Sequence, residues 1–204
     1  VNPNDRTSDL VDAGTANSIG YTLKITPANA GNLKVTSTQG NVNVKNSSNI
    51  TTTNTTLEST TKNVNINNST LTASKDINVN AAKDATINKS TLDASNNANV
   101  TAKGGALHIT NSAKIAAKND INLTSNDSIN FGKDADTNVN IGNTSNIQAG
   151  HNINIKSTAG NITAEKTTMP VLKYGNRLAF DAKKDNVFTS ENSLKSVNVD
   201  YKAG

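Results

Sequence analysis

A phrase recurs about every 21 residues in this chain: NSTLTAS at Asn68–Ser74 returns as KSTLDAS at Lys89–Ser95. A fixed period of that size limits the possible folds more than any other feature, because it marks similar units stacked on one another. Three apolar phrases recur in order within the period. The first is an alternating pair, Val42-Asn43-Val44, Val64-Asn65-Ile66, Ala85-Thr86-Ile87 and Leu107-His108-Ile109. The second is one aliphatic residue after a polar turn, at Ile50, Leu71, Leu92, Ile115 and Ile147. The third is another pair, Ile77-Asn78-Val79, Ala98-Asn99-Val100, Ile121-Asn122-Leu123 and Ile153-Asn154-Ile155.

Apolar residues two apart, with a polar residue between them, are the pattern of a strand with one buried face. A helix would need them three or four apart, and Asn, Thr and Ser are weak helix formers in element interiors. Gly, Asn, Asp and Ser fill the gaps, as turns require. The reading is therefore all-β, with three short strands per coil of about 21 residues. One coil cannot bury its apolar face alone. Stacked about 4.8 Å apart, each strand pairs with its counterpart in the next coil, and Ile50, Leu71, Leu92 and Ile115 form one inward column. This is a right-handed parallel β-helix, the hand following from the general rule for parallel crossovers. Asn between two inward aliphatics points outward to water, and Asn or Asp at a corner supplies the left-handed conformation of a tight turn. The many Asn-x-Ser/Thr tripeptides follow from composition.

Composition agrees with a thin aliphatic core. Leu, Ile, Val and Phe make up about a fifth of the chain, a level at which disorder is common. The net charge of +4 and the strict placement of the apolar residues oppose disorder. Aromatics are only 3%, and Cys is absent, which excludes disulfides and thiolate metal sites. No apolar run is long enough to span a membrane as a helix. Residues 1–20 lack the basic start and apolar stretch of a secretory leader, and Val1 in place of Met predicts an internal segment of a longer chain.

The period breaks at three places, giving an organisation of residues 1–30, 31–165 and 166–204. The spacing from Ile115 to Ile147 is about ten residues too long, which predicts an extra strand or a protruding loop around Ile129–Asn138. Within it Asp134–Asn138 (DADTN) resembles the start of a calcium loop, but no Gly marks the turn and no Glu closes it, so a solvated loop is expected. Residues 1–30 hold Pro3, Asp5, Arg6, Asp9 and Asp12, with little alternation before Tyr21-Thr22-Leu23-Lys24-Ile25; they read as a less regular leading segment or first coils. Residues 166–204 hold Pro170, Tyr174, Arg177, Phe180, Phe188 and Tyr201, with alternation at Leu178-Ala179-Phe180 and Val197-Asn198-Val199. They read as degenerate coils or a cap that blocks end-to-end pairing.

Parallel β-helices also carry enzymes that act on acidic polysaccharides, and a lyase or hydrolase is the alternative function. Such a site needs clustered carboxylates, or Arg and Lys at the scissile bond. Here Asp76, Asp84, Asp93, Asp120 and Asp127 are scattered. Asp76 and Asp120 hold matching corners and are turn formers first; His108 should point outward, and His151 lies at a corner without an acidic partner in its coil. No catalytic, cofactor-binding or metal residue is assigned, and no catalysis is expected. Nucleic acid is not expected either, since the pI of 9.2 comes from dispersed Lys with only six aromatics and two Arg. Lys75 with Lys118, and Lys83 with Lys103, hold comparable positions and would form a mild basic stripe suited to anionic glycans, or merely a solvated face.

Units such as NSTLTASKDINVNAAKDATI and SNIQAGHNINIKSTAGNITA resemble the repeats of filamentous haemagglutinin and its relatives, the large exoproteins of bacterial two-partner secretion that include contact-dependent growth inhibition proteins. The resemblance covers roughly Gly31–Glu165. It implies a secreted, surface-exposed β-helical fibre exported through an outer-membrane transporter barrel. It also implies a role in adhesion, haemagglutination or biofilm formation, or in presenting a toxin, with a host or neighbouring-cell glycan or protein as partner. VNPND at the start resembles the Asn-Pro motifs of the family's amino-terminal secretion domain, without their continuation, and no toxin-like domain follows; both predict a shaft segment.

Overall fold

In a computed structural model, described for residues 11–13, 31–47, 50–132, 145–149, 152–170, 177–189, 192–195 and 198–204, the chain is a right-handed parallel β-solenoid with three strands per coil. The three recurring phrases build three sheets. The first-phrase sheet runs Val42–Lys45, Val64–Asn67, Ala85–Asn88, Leu107–Thr110, Ile129–Gly132, Ile162–Ala164, Asn186–Phe188. The second runs Ile50–Thr52, Thr70–Ala73, Thr91–Ala94, Lys114–Ala117, Ser145–Ala149, Thr167–Pro170, Ser193–Lys195. The third runs Leu33–Ser37, Thr55–Ser59, Ile77–Ala81, Ala98–Ala102, Asp120–Ser125, Asn152–Ser157, Arg177–Ala182, Asn198–Ala203.

Parity within each strand places the core. In Ile77–Ala81 and Ala98–Ala102 the first, third and fifth residues are buried and the second and fourth are not. Leu71 pairs with Ile50 on one side and Leu92 on the other, Leu92 pairs with Ile115, and all four are at most 1% exposed. A buried aliphatic of this kind contributes about 1.5–3 kcal/mol by leaving water, and repetition along the axis compensates for the narrow bore.

The break in period is located differently from the sequence reading. Ile129–Gly132 is neither an extra strand nor part of a loop. Ile129 pairs with Leu107 before it and Ile162 after it, in the ordinary first-phrase register, and Phe131 fills the core at 1% exposure. The additional residues therefore lie between Gly132 and Ser145. Asp134–Asn138 and His151 fall outside the described residues, as do Tyr21–Ile25.

Two features concern the ends. Val11–Ala13 is a strand antiparallel to Val42–Val44, lying on the outer edge of the first sheet, where the next member of a parallel stack would go. Asp12, opposite Asn43, belongs to it. At the other end, Arg177–Ala182 and Asn198–Ala203 pair in parallel with the preceding coils, so these strands continue the stacking. Val197 lies outside the described residues.

Candidate functional site

The solenoid exposes corners and outward faces, and the hydrogen bonds there decide which groups remain available for a ligand. The corner that enters the third sheet carries Asn32, Asn54, Asp76, Asn97, Asp120, Asn152 and Arg177 in one column. Asn54 Oδ1 accepts the backbone N–H of Asp76 at 3.1 Å, Asp76 Oδ1 that of Asn97 at 3.0 Å, and Asn97 Oδ1 that of Asp120 at 3.1 Å. Asp120 Oδ1 then accepts from Asn152 and Asn152 Oδ1 from Arg177, both at 3.0 Å. Each corner N–H would otherwise lack a partner at the point where the ladder of the sheet begins. Asp76 and Asp120 are thus corner residues, as their matching positions suggest. Their role is to accept a hydrogen bond from the next coil, which Asn performs equally well.

A second such column enters the first sheet. Asn41 Oδ1 accepts from Asn63 N–H, Asn63 Oδ1 from Asp84 N–H, and Asp84 Oδ1 from Ala106 N–H at 2.8 Å. The third corner uses backbone conformation. Asn46, Asn68, Lys89, Asn111, Ser112 and Lys166 all have positive φ, between 48° and 62°. Asn is the expected residue there, whereas Lys89 and Lys166 occupy the left-handed region without the short amide side chain that makes it favourable for Asn. Just inside this corner Ser47, Ser69 and Ser90 are nearly fully buried. Ser69 Oγ donates to Asn67 O at 2.8 Å and accepts the backbone N–H of Ser47 at 3.2 Å, and the same bonds link Ser69 to Ser90. Hydrogen bonds made in this way offset the cost of taking the hydroxyl out of water and hold the turn.

The outward Asn residues do more than face water. Asn99 Nδ2 donates to Asn78 Oδ1 at 2.9 Å, Asn122 to Asn99 at 2.8 Å, and Asn154 to Asn122 at 2.9 Å, forming an amide ladder on the third sheet. On the first sheet Asn65 donates to Asn43 at 2.9 Å. His108 points outward as expected and meets Asn130 Nδ2 through its Nδ1 at 3.3 Å, while Thr163 donates to Asn130 Oδ1 at 2.8 Å. Asp93 is exposed on the second sheet, and Asp127 is exposed at a corner, where its carbonyl accepts the Ser157 hydroxyl at 2.6 Å. Among the described residues no group of three or more His, Asp or Glu side chains is placed to hold a metal ion.

The lysines do not stack as the spacing suggested. Lys75 N–H bonds Thr53 O and Lys75 O accepts Asn96 N–H, so its column is Thr53, Lys75, Asn96, Asn119. Lys118 N–H bonds Ala94 O, which sets it one column over, with Ser74 and Ser95. Lys83 and Lys103 are displaced in the same way. Lys75 and Lys83 are the second residues after their strands, whereas Lys118 and Lys103 are the first. Corner length sets a different alignment. Three residues separate Ala81 from Ala85, but four separate Ser59 from Val64 and Ala102 from Leu107. Lys83 N–H instead bonds Lys62 O at 3.0 Å, aligning it with Lys62, a residue the sequence reading passed over. Lys103 N–H bonds Ala81 O of the preceding coil at 2.9 Å, which sets it one column to the side of Lys83. Lys62, Lys83 and Lys103 are all exposed and form a basic cluster over three coils of one corner. The polar side of the four-residue corner has its own signal, Ser-x-x-Gly/Lys. The buried Oγ of Ser37, Ser59 and Ser157 accepts the N–H of Gly40, Lys62 and Gly160, each at 3.0 Å.

Residues 132–204 match the protein family described as Hemagglutinin repeat. No curated protein and no solved structure matches the chain. The match falls on the coils whose repeat is least regular in sequence, and those coils share all three sheets with the regular ones before Gly132.

Proposed function

We propose that this chain, a filamentous-haemagglutinin-type repeat domain folded as a parallel β-solenoid, is a shaft segment of a secreted bacterial surface exoprotein with an adhesive basic corner. The observation that carries the reading is the use made of its polar groups. Corner carboxylates and outward amides bond to the adjacent coil, and the exposed lysines Lys62, Lys83 and Lys103 gather on one edge. A column built in this way supplies length and a regular side, and leaves the lysine heads to meet an anionic partner. In this reading the chain has no catalysis of its own. Export through an outer-membrane barrel and exposure on the cell surface belong to the same proposal, supported by the family match. The continuity of the three sheets from Leu33 to Ala203 supports treating residues 31–165 and 166–204 as one shaft.

A clustered positive edge raises the local concentration of sulfated or carboxylated glycans, and the attraction weakens as salt screens it. The test is binding of the folded chain to heparin-like glycans and to cells across a salt series. Saturable, salt-sensitive binding that is lost in the triple variant Lys62→Glu, Lys83→Glu, Lys103→Glu supports the adhesive corner. Binding that is absent, or unchanged by the triple substitution, removes the adhesive corner and leaves the shaft. A polysaccharide lyase or hydrolase would instead release new reducing or unsaturated ends from the same glycans.

A further inference from the structure

The corner between the first and second sheets is built alike in three successive coils and differently in the fourth. In Lys45–Ser47, Asn67–Ser69 and Asn88–Ser90 one residue of positive φ stands between the strand and a buried Ser. The next corner is one residue longer. Asn111 and Ser112 both have positive φ, 56° and 62°, and Ala113 takes the buried place of the Ser. The equivalence is fixed by the backbone, since Lys114 N–H bonds Ser90 O as Thr91 N–H bonds Ser69 O. Ala113 N–H bonds Thr110 O at 3.2 Å, which closes a turn with Asn111 and Ser112 at its centre. Positive φ at both central residues is the mark of a type I′ turn, whose favoured sequence is Asn-Gly. Here Ser fills the second place, and its Cβ strains a left-handed backbone.

The longer corner also changes what becomes of the N–H that follows Asn. Four Asn-Ser steps lie among the described residues. After Asn46 the Ser47 N–H is bonded to Ser69 Oγ at 3.2 Å, and after Asn68 the Ser69 N–H is bonded to Ser90 Oγ at 3.1 Å. At Asn192 the side chain itself is held. Its Oδ1 accepts the Thr167 N–H at 3.1 Å, and its Nδ2 donates to Ala164 O at 2.9 Å and Thr189 O at 2.7 Å. Neither lock exists at Asn111. Ser112 is exposed, and its N–H has no partner among the described residues. The Asn111 carboxamide is tied through its nitrogen, which donates to Asn88 Oδ1.

We propose that Asn111 is a site of self-modification, where the Ser112 backbone nitrogen attacks the side-chain carbonyl carbon of Asn111. The N–Cγ bond forms and the Cγ–Nδ2 bond breaks. The proton lost by the Ser112 nitrogen goes to Nδ2, which leaves as ammonia, and a five-membered succinimide remains. Water then opens the ring at either carbonyl, giving aspartate or isoaspartate. The reaction needs an attacking nitrogen free of other bonds and a backbone able to turn, and a strained, locally weak corner supplies both. Either product sets a carboxylate where Nδ2 had donated to Asn88, and isoaspartate lengthens the main chain of the turn by one methylene. The modified chain carries one unit less positive charge.

Peptide mapping by mass spectrometry of the full chain, incubated folded in warm, mildly alkaline buffer, tests the proposal. A second sample held unfolded in urea is the reference. In urea the four Asn-Ser steps should convert at similar rates, because their local chemistry is the same. In the folded chain Asn111 should convert at least about tenfold faster than Asn46, Asn68 or Asn192, a factor equivalent to about 1.4 kcal/mol and within reach of one missing hydrogen bond. The product should accept label from an isoaspartate-specific methyltransferase. Asn111→Gln should abolish both the mass change and the label at this corner and keep the far-UV circular dichroism of the parent, which ties the signal to this residue in a folded chain. Equal rates at Asn111 and at Asn46 or Asn68 in the folded chain, or an Asn111 that stays intact while the unfolded reference converts, would overturn it.

Discussion

Asp76 Oδ1 accepts the backbone N–H of Asn97 at 3.0 Å, one coil further along the axis. The two residues are 21 apart in sequence and occupy the same corner, and the bond repeats from Asn54 to Arg177 through either Asn or Asp. Only the acceptor oxygen matters to the backbone N–H it receives. Asp76→Asn should therefore change stability by less than about 0.5 kcal/mol. Asp76→Leu removes the acceptor from a partly buried N–H and should cost about 1–2 kcal/mol. Urea denaturation followed by far-UV circular dichroism distinguishes the two, and equal costs would refute the ladder as the reason for the residue.

Leu71 sits in a closed aliphatic column between Ile50 and Leu92. Leu71→Ala should lower stability by about 2–5 kcal/mol through lost burial and the cavity left behind. Thr72, the next residue, points outward, and Thr72→Ala should stay within about 0.5 kcal/mol. The same denaturation experiment checks both, and a small loss at Leu71 would mean that the coils can close over the gap.

Lys89 holds φ at 49° in a column where Asn46 and Asn68 have 48°. Lys89→Gly and Lys89→Asn should each stabilise the chain by about 0.5–1 kcal/mol, since both tolerate the left-handed region better. Lys89→Val should destabilise it, because a β-branched side chain is strained there. Midpoints of thermal unfolding should rise for the first pair and fall for the third variant.

Gly105 fits a four-residue corner that leaves no room for a side chain. A Cβ there would stand 2.1 Å from Asp84 Oδ1 and 2.7 Å from the Lys83 carbonyl carbon. Gly105→Ala should cost about 1–3 kcal/mol as the two coils are forced apart. Gly31→Ala, with nothing within 4 Å, is the matched control and should have little effect on the unfolding midpoint.

The inward columns were legible in the sequence because parity alone places them. Ile50, Leu71, Leu92 and Ile115 need only be apolar, and a polar residue on either side sets the face. Ile129–Gly132 was misread because the excess length between Ile115 and Ile147 was assigned from the second phrase alone. Its own alternation, Ile129-Asn130-Phe131, fits the first phrase at the normal spacing from Leu107. The antiparallel strand Val11–Ala13 had no such signal, since three residues do not establish a period.

The sequence by itself determined the three-strand coil, its inward columns and the corners where Asn and Asp fall, because burial depends on alternation, a property of neighbouring residues. Tertiary structure alone decided which outward groups meet. Corners of three and four residues shift the stacking by one column, so Lys62, the third residue of its corner, aligns with Lys83, the second of its own. Contacts of that kind join residues a full coil apart, and their partners are fixed only when every intervening corner has taken its length.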